Sequence, residues 1–269
     1  MHDRVSRDGR YSHDLNFRDG IKIKIHYTSH YFQHGEIREK KMSKKKPQAA
    51  CASCEVPAHG KVCIFENGKG ARGCPTLLRE DILKESLKEY ERPEIYEFAR
   101  NASIQEGECY ANKVDNPFVL EPTKTRIEEI CEFAHKLGYR KLGLAFCIGL
   151  AAEAACVEKI FISRGFTVVS VVCKAGRALK EILDISPEDF VMPPLKEPMC
   201  NPVYQAKLLN AEKTELNVLL GLCVGHDSLF FKYADAFTTV LAVKDRVTGH
   251  NPLAPVYLLA SYYGKLIKK

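Results

Sequence analysis

From residue 139 onward the chain alternates two kinds of segment, and no other feature limits the possible fold as strongly. Four runs are almost wholly apolar and of strand length: Lys141–Cys147, Thr167–Cys173, Leu216–Cys223 and Thr238–Val243. Between and after them lie segments with helical spacing: Leu150–Arg164, stopped by Gly165, then Asn201–Lys213, a short one over His226–Ala234, and a last one expected over Leu253–Lys265. A strand that is apolar on both faces needs cover on both faces, which a parallel sheet with helices above and below supplies. The sequence therefore predicts an α/β fold: a doubly wound, mostly parallel sheet of four or more strands, most simply in the order 2-1-3-4. No glycine-rich phosphate loop follows any of these strands, so the usual nucleotide-binding signatures are absent.

Three helices are expected upstream. Leu77, Leu78, Ile82, Leu83 and Leu87 share one face up to Tyr90, and Pro93 opens a second helix through Ile95, Phe98, Ala99 and Ala102. A third runs from about Thr123 to Leu137, with Ile127, Ile130, Cys131 and Ala134 inward and Gly138 as its stop. The resulting division is a helical segment at 76–138 and an α/β domain at 139–269. Cys109, Cys131 and Cys156 are expected to be packing or structural thiols.

The net charge of +6 is confined to one end. Residues 1–50 hold 12 Lys and Arg against 6 Asp and Glu, so the body of the chain is neutral. A neutral body offers no overall field to draw in phosphate, and nucleic acid is not expected as a partner. The longest apolar stretch, Leu142 to Val157, is interrupted by Glu153, so no membrane span is expected either. The first twenty residues hold no continuous apolar segment of a secretory signal, which points to the cytoplasm. Residues 1–41 are polar and carry five of the nine His; they are expected to be disordered or to precede the true start. Met42-Ser-Lys-Lys-Lys reads as an ordinary beginning, and Arg38-Glu39 can be encoded by a ribosome-binding sequence just upstream. At most a short strand is expected around Ile21–Ile25.

Eleven cysteines, all between Cys51 and Cys223, form the second strong signal. An odd count without a secretory signal argues for thiols kept reduced for metal or chemistry, not for a disulfide framework. Cys51, Cys54, Cys63 and Cys74 follow the pattern C-x2-C-x8-C-x10-C, with Pro57, Gly60, Asn67-Gly68, Gly70 and Gly73 between them. Two thiolates two residues apart can hold one ion from a tight turn, and two more complete a tetrahedron. Residues 42–75 have too few apolar side chains for a core, so an ion would supply their folding free energy. Zinc and an iron–sulfur cluster both suit this knuckle.

Three of the remaining cysteines end strands: Cys147 the first, Cys173 the second and Cys223 the third. In a parallel sheet all carboxyl ends share one edge, where ligands bind. Cys200 precedes the helix leading to the third strand, after a long 174–199 connection whose path the sequence does not reveal. Cys147, Cys173, Cys200 and Cys223 are thus candidates for a second metal or cluster site. The alternative is a reactive thiolate, Cys147 or Cys223, with His226 as its base.

These motifs resemble a known family. Cys51-Ala-Ser-Cys54, Cys74-Pro75, Phe146-Cys147-Ile148-Gly149, Met199-Cys200-Asn201-Pro202, Cys223-Val224-Gly225-His226-Asp227-Ser228, Lys244-Asp245-Arg246 and Gly249-His250-Asn251-Pro252 are similar to the family catalogued as domain of unknown function 1847. Its members, from anaerobic bacteria and archaea, are usually labelled cysteine-rich metal-binding proteins, so the resemblance implies metal binding and no established reaction. Three functions follow as expectations. The first is a zinc or iron–sulfur protein handling electrons or sulfur. The second is a thiol enzyme with a structural knuckle, and the third a zinc-stabilised adaptor. The protein partner is left open.

Overall fold

The four apolar runs form one parallel sheet in the computed structural model, which describes residues 10–16, 22–28, 47–114, 119–193 and 196–267. The chain divides into two units, Met1–Glu80 and Asp81–Lys269.

In the first unit, strands β1 (Arg10–Asn16) and β2 (Lys22–Thr28) pair antiparallel, from Arg10 opposite Thr28 to Asn16 opposite Lys22. The strand expected near Ile21–Ile25 is therefore longer and has a partner. Met42 and the rest of residues 1–41 lie outside the described residues. The four-cysteine segment is built from turns: Cys51–Ser53 and Ala58–Gly60 are single 3-10 turns, and Val62 N–H donates to Lys69 O at 3.0 Å. Helix α1 (Pro75–Leu78) starts directly after Cys74, with Pro75 in its first turn. Gly73 has φ +84°, and a Cβ there would lie 2.4 Å from Gln48 O, so only glycine fits this turn.

Next come α2 (Glu80–Glu89), α3 (Pro93–Glu108) and the two-residue pair β3 (Tyr110–Ala111) and β4 (Glu121–Pro122). Helix α4 (Arg126–Lys136) opens on a capping box, in which Glu128 accepts from Thr125 N–H at 2.8 Å. The rest alternates as expected: β5 (Lys141–Phe146), α5 (Ala151–Ser163), β6 (Thr167–Val172), α6 (Pro202–Ala211), β7 (Leu216–Leu222), α7 (His226–Tyr233), β8 (Thr238–Val243) and α8 (Ala254–Tyr257). The sheet order β6-β5-β7-β8, parallel throughout, is the 2-1-3-4 order expected from the sequence.

The period of two along a strand explains the winding. Leu142 and Leu144 of β5, with Leu216 and Val218 of β7, pack against Ile130 and Ala134 of α4 and Phe161 of α5. Ala145 and Leu219, one residue out of step, pack with Leu209 of α6 and Phe230 of α7. All seven residues of β7 are buried, as a central strand covered on both faces requires. Asn217, fully buried on β7, accepts from Thr214 Oγ1 at 2.7 Å. A Cβ at Gly143 would lie 2.2 Å from that same Asn217 Oδ1, so glycine makes the room.

Three expectations need correction. The apolar residues of α1 and α2 are exposed, Leu87 by 54%, so their shared face covers no core. Cys156 is exposed on α5, not packed within it. The helix expected over 253–265 shrinks to the four residues of α8 plus a 3-10 turn at Gly264–Leu266. Val256, Tyr257 and Tyr262 there are exposed, and a short helix that buries no face does not propagate. Among the described residues no helix is long and apolar enough to cross a membrane.

Candidate functional site

Sheet pairing puts the strand-end cysteines side by side. Cys147 N–H donates to Leu220 O at 3.1 Å and Cys173 N–H to Phe146 O at 2.9 Å, which extends the ladder one residue past each strand. The 174–199 connection then doubles back on itself: Met199 N–H meets Ala178 O at 2.8 Å and Lys180 N–H meets Glu197 O at 3.1 Å. Its internal anchor is the Glu197 carboxylate, which lies 3.1 Å from Lys180 and 3.7 Å from Lys174 and accepts the N–H groups of Val191 and Met192. Burial opposes its charge, but those donors and Lys180 outweigh it and hold the carboxyl below its ordinary range. The returning chain is tied to β6 by Asn201 N–H on Cys173 O at 2.8 Å, and Cys200 Sγ comes to 3.7 Å from Cys173 Sγ.

Cys147, Cys173 and Cys200 are linked in a row by hydrogen bonds between their sulfurs, with Cys173 shared by the other two. The bonds to Cys147 and Cys200, together with burial, push the Cys173 thiol up; Ile148 N–H, 3.4 Å from its sulfur, opposes this weakly. Cys147 is held well below the ordinary thiol range by Cys173, against burial, with further help from Gly149 N–H and Lys244. Cys200 is held down by Cys173 and then His226, again against burial, with Lys174 adding its charge. His226 is raised in return, chiefly by its hydrogen bond to Cys200. These shifts favour thiolate at Cys147 and Cys200 and thiol at Cys173, with Lys244 facing the first and His226 hydrogen-bonded to the last of the three. One S–H cannot serve two sulfurs at once, so the flanking cations carry part of the stabilisation.

The imidazole of His226 thus pairs with Cys200, not with Cys147 or Cys223 as its place in the sequence suggested. Cys223 stands apart from the row, with Arg246 Nη2 donating to its sulfur at 3.2 Å. Its carbonyl accepts His226 N–H at 3.0 Å, which starts α7 and turns the imidazole away from the Cys223 side chain. His250 has φ +69° and its Nδ1 accepts Asp245 N–H at 3.2 Å, so its proton is on Nε2.

Among the described residues no group of three or more His, Cys, Asp and Glu is gathered as an ion would require. What the row can do as it stands is thiolate attack followed by disulfide closure. In the first unit, Cys51, Cys54, Cys63 and Cys74 all line one cavity of about 90 Å³, along with Lys61, Lys69 and Arg72. The wall is tight at Gly70, where a Cβ would lie 2.9 Å from Cys74 Sγ.

The sequence signals brought Lys244 and His226 to this edge but did not show that Lys244 meets Cys147 and His226 meets Cys200. They also missed a cavity of about 470 Å³ at the opposite, amino-terminal end of β7 and β8, lined among others by Phe98, Cys109, Arg126, Phe133 and Thr239. Its aromatic wall is Phe98, stacked on Phe237 at 3.9 Å and edge-on to Phe133 at 4.9 Å.

The family model described as Protein of unknown function (DUF1847) matches residues 74–241. An uncharacterized protein of Methanocaldococcus jannaschii is 40% identical over 187 residues, which cover 70% of this chain and 88% of that protein. No solved structure matches. The matched stretch contains Cys147, Cys173, Cys200, Cys223 and His226, and begins at the last cysteine of the knuckle.

Proposed function

We infer that this chain, which belongs to the family described as Protein of unknown function (DUF1847), handles sulfur or redox equivalents through its strand-end thiols while its four-cysteine segment holds a structural metal. The reading rests on one observation: the 3.7 Å approach of Cys173 and Cys200, with an imidazole hydrogen-bonded to Cys200. A thiolate beside an imidazolium is a nucleophile, and a protonated thiol next to it is the group that resolves the adduct.

Cys200 thiolate attacks one sulfur of a substrate disulfide. The S–S bond breaks, the first substrate thiolate leaves, and a Cys200–substrate disulfide forms. Cys173 then passes its proton to Cys147 and attacks the Cys200 sulfur. The second substrate thiolate leaves and a Cys173–Cys200 disulfide remains. The substrate has gained two electrons, the protein has lost two, and an external thiol reductant restores the row. Closure brings the two sulfurs to about 2.05 Å by side-chain rotation.

For the knuckle, the four cysteines line one small cavity without being drawn to ligand distance of a common point, and a tetrahedral ion would have to pull them together. Cys51, Cys54, Cys63 and Cys74 would hold it, with Lys61, Lys69 and Arg72 offsetting the charge of four thiolates. Bound zinc would contribute folding free energy to a segment with almost no apolar core.

The test uses anaerobically prepared protein, oxidised with one equivalent of a small disulfide and mapped by peptide mass spectrometry. A Cys173–Cys200 disulfide and one zinc per chain are expected. Iron and acid-labile sulfide held by Cys147, Cys173, Cys200 and Cys223 would make the edge a cluster site and overturn the reading.

A further inference from the structure

Around the strand edge the acidic groups are spent inside their own loops, and two cations are not. Asp245 accepts the N–H groups of Val247 and Thr248, each at 3.0 Å, and Asp227 accepts Ser228 N–H at 2.8 Å. Glu197 is taken up by Lys174 and Lys180. Among the described residues neither Lys244 nor Arg246 is ion-paired with a carboxylate.

Lys244 is built into its place. Its N–H is held by Leu222 O at 3.1 Å, and its side chain passes Gly221, where a Cβ would lie 3.9 Å from Lys244 Cε. It ends over Gly149, with Nζ 3.5 Å from where a Cβ would stand. A lysine from the end of β8 thus reaches across β7 to Cys147 at the end of β5, passing over two glycines. Arg246 stands exposed beside Cys223. Ile148 and Val224, 54% and 94% exposed, give the same edge apolar lips.

We propose that Lys244 and Arg246 recognise an anionic group on the substrate, which makes the substrate class a small disulfide carrying a carboxylate, sulfonate or phosphate on an apolar body. This rests on the thiol reading of the same edge. Two thiolates repel an anionic disulfide, and Lys244 against Cys147, with Arg246 exposed beside Cys223 at the same edge, supplies the opposite charge. The chemistry gives Lys244 a second reason to bind an anion. When Cys147 takes the proton of Cys173, Lys244 loses its counter-charge, and the substrate's anionic group replaces it at the resolving step.

Reduced full-length protein is mixed with either the dianionic 5,5′-dithiobis(2-nitrobenzoate) or the neutral 4,4′-dithiodipyridine. Modification of Cys200 is followed by quenching and peptide mass spectrometry, and each rate is divided by that of free glutathione with the same reagent. The ratio of normalised rates is expected to favour the dianion by about tenfold at low salt and to shrink toward unity in about 0.5 M salt. It should fall severalfold in Arg246→Ala and drop below one in Arg246→Glu. Equal normalised rates that ignore both salt and Arg246 would overturn anion recognition and leave the thiol reading standing. Modification of Cys200 no faster than glutathione by both reagents would overturn the thiol reading itself, and this inference with it.

Discussion

At the scale of single residues, the strand edge is governed by which sulfur keeps its hydrogen. Cys200 and Cys147 are depressed because each is hydrogen-bonded to Cys173 and cations face them, so their thiolates persist as pH falls. Alkylation of Cys200 by iodoacetamide should therefore stay nearly flat from about pH 8 to about pH 6, where a free cysteine slows by about tenfold per unit. Cys173, raised, should be labelled last. His226 is raised above its ordinary value, so its proton is present at low pH and lost only as pH rises through that raised value. His226→Ala should then steepen the Cys200 profile toward that of a free thiol; an unchanged profile in the variant would remove His226 from the site. Gly221 makes a different kind of contribution. It has φ +68°, and a Cβ there would lie 2.0 Å from Leu150 Cδ1, so Gly221→Ala combines backbone strain with overpacking. A loss of about 2 kcal/mol or more is expected in urea unfolding. Nothing in the sequence marks Gly221 out from its neighbours, because the atom it makes room for belongs to a different loop.

At the scale of elements, helix α6 holds the sulfur row from beneath. Gln205 is fully buried, and its Nε2 donates to Val171 O at 2.8 Å and Phe146 O at 3.2 Å, tying together the ends of β6 and β5 that carry Cys173 and Cys147. Its Oε1 has no hydrogen-bond partner among the described residues. Gln205→Leu should cost about 1–3 kcal/mol by leaving two strand-end carbonyls short of a donor. It should also slow closure of the Cys173–Cys200 disulfide more than it slows first attack at Cys200; equal slowing of both steps would argue against a positioning role. The strands themselves were legible as runs of apolar residues. The 174–199 connection was not, since its course depends on the buried Glu197 pairing with Lys174 and Lys180, which no local periodicity announces. The carboxyl-terminal helix failed for the opposite reason: its local pattern was helical, yet Val256, Tyr257 and Tyr262 stay exposed.

At the scale of the whole molecule, two units with separate sources of stability should respond separately to chelation. The sheet has a core of its own, built on β5 and β7, whereas the segment from 47 to 80 has turns and four cysteines. Removing metal with a strong chelator should abolish hydrogen-exchange protection at the Val62–Lys69 bridge and leave β5 and β7 protected. Parallel loss of protection in both units would mean that they do not stand independently. The sequence alone determined the order of the sheet and the placement of Cys147, Cys173 and Cys223 at one edge, because burial on both faces and short right-handed connections are written in local patterns. Only the tertiary structure decided that Cys200 meets Cys173 across 27 residues of chain, that His226 serves Cys200, and that Lys244 reaches Cys147. Those pairings depend on how buried polar groups find partners over long sequence separations, and that is settled only when the whole sheet edge is assembled.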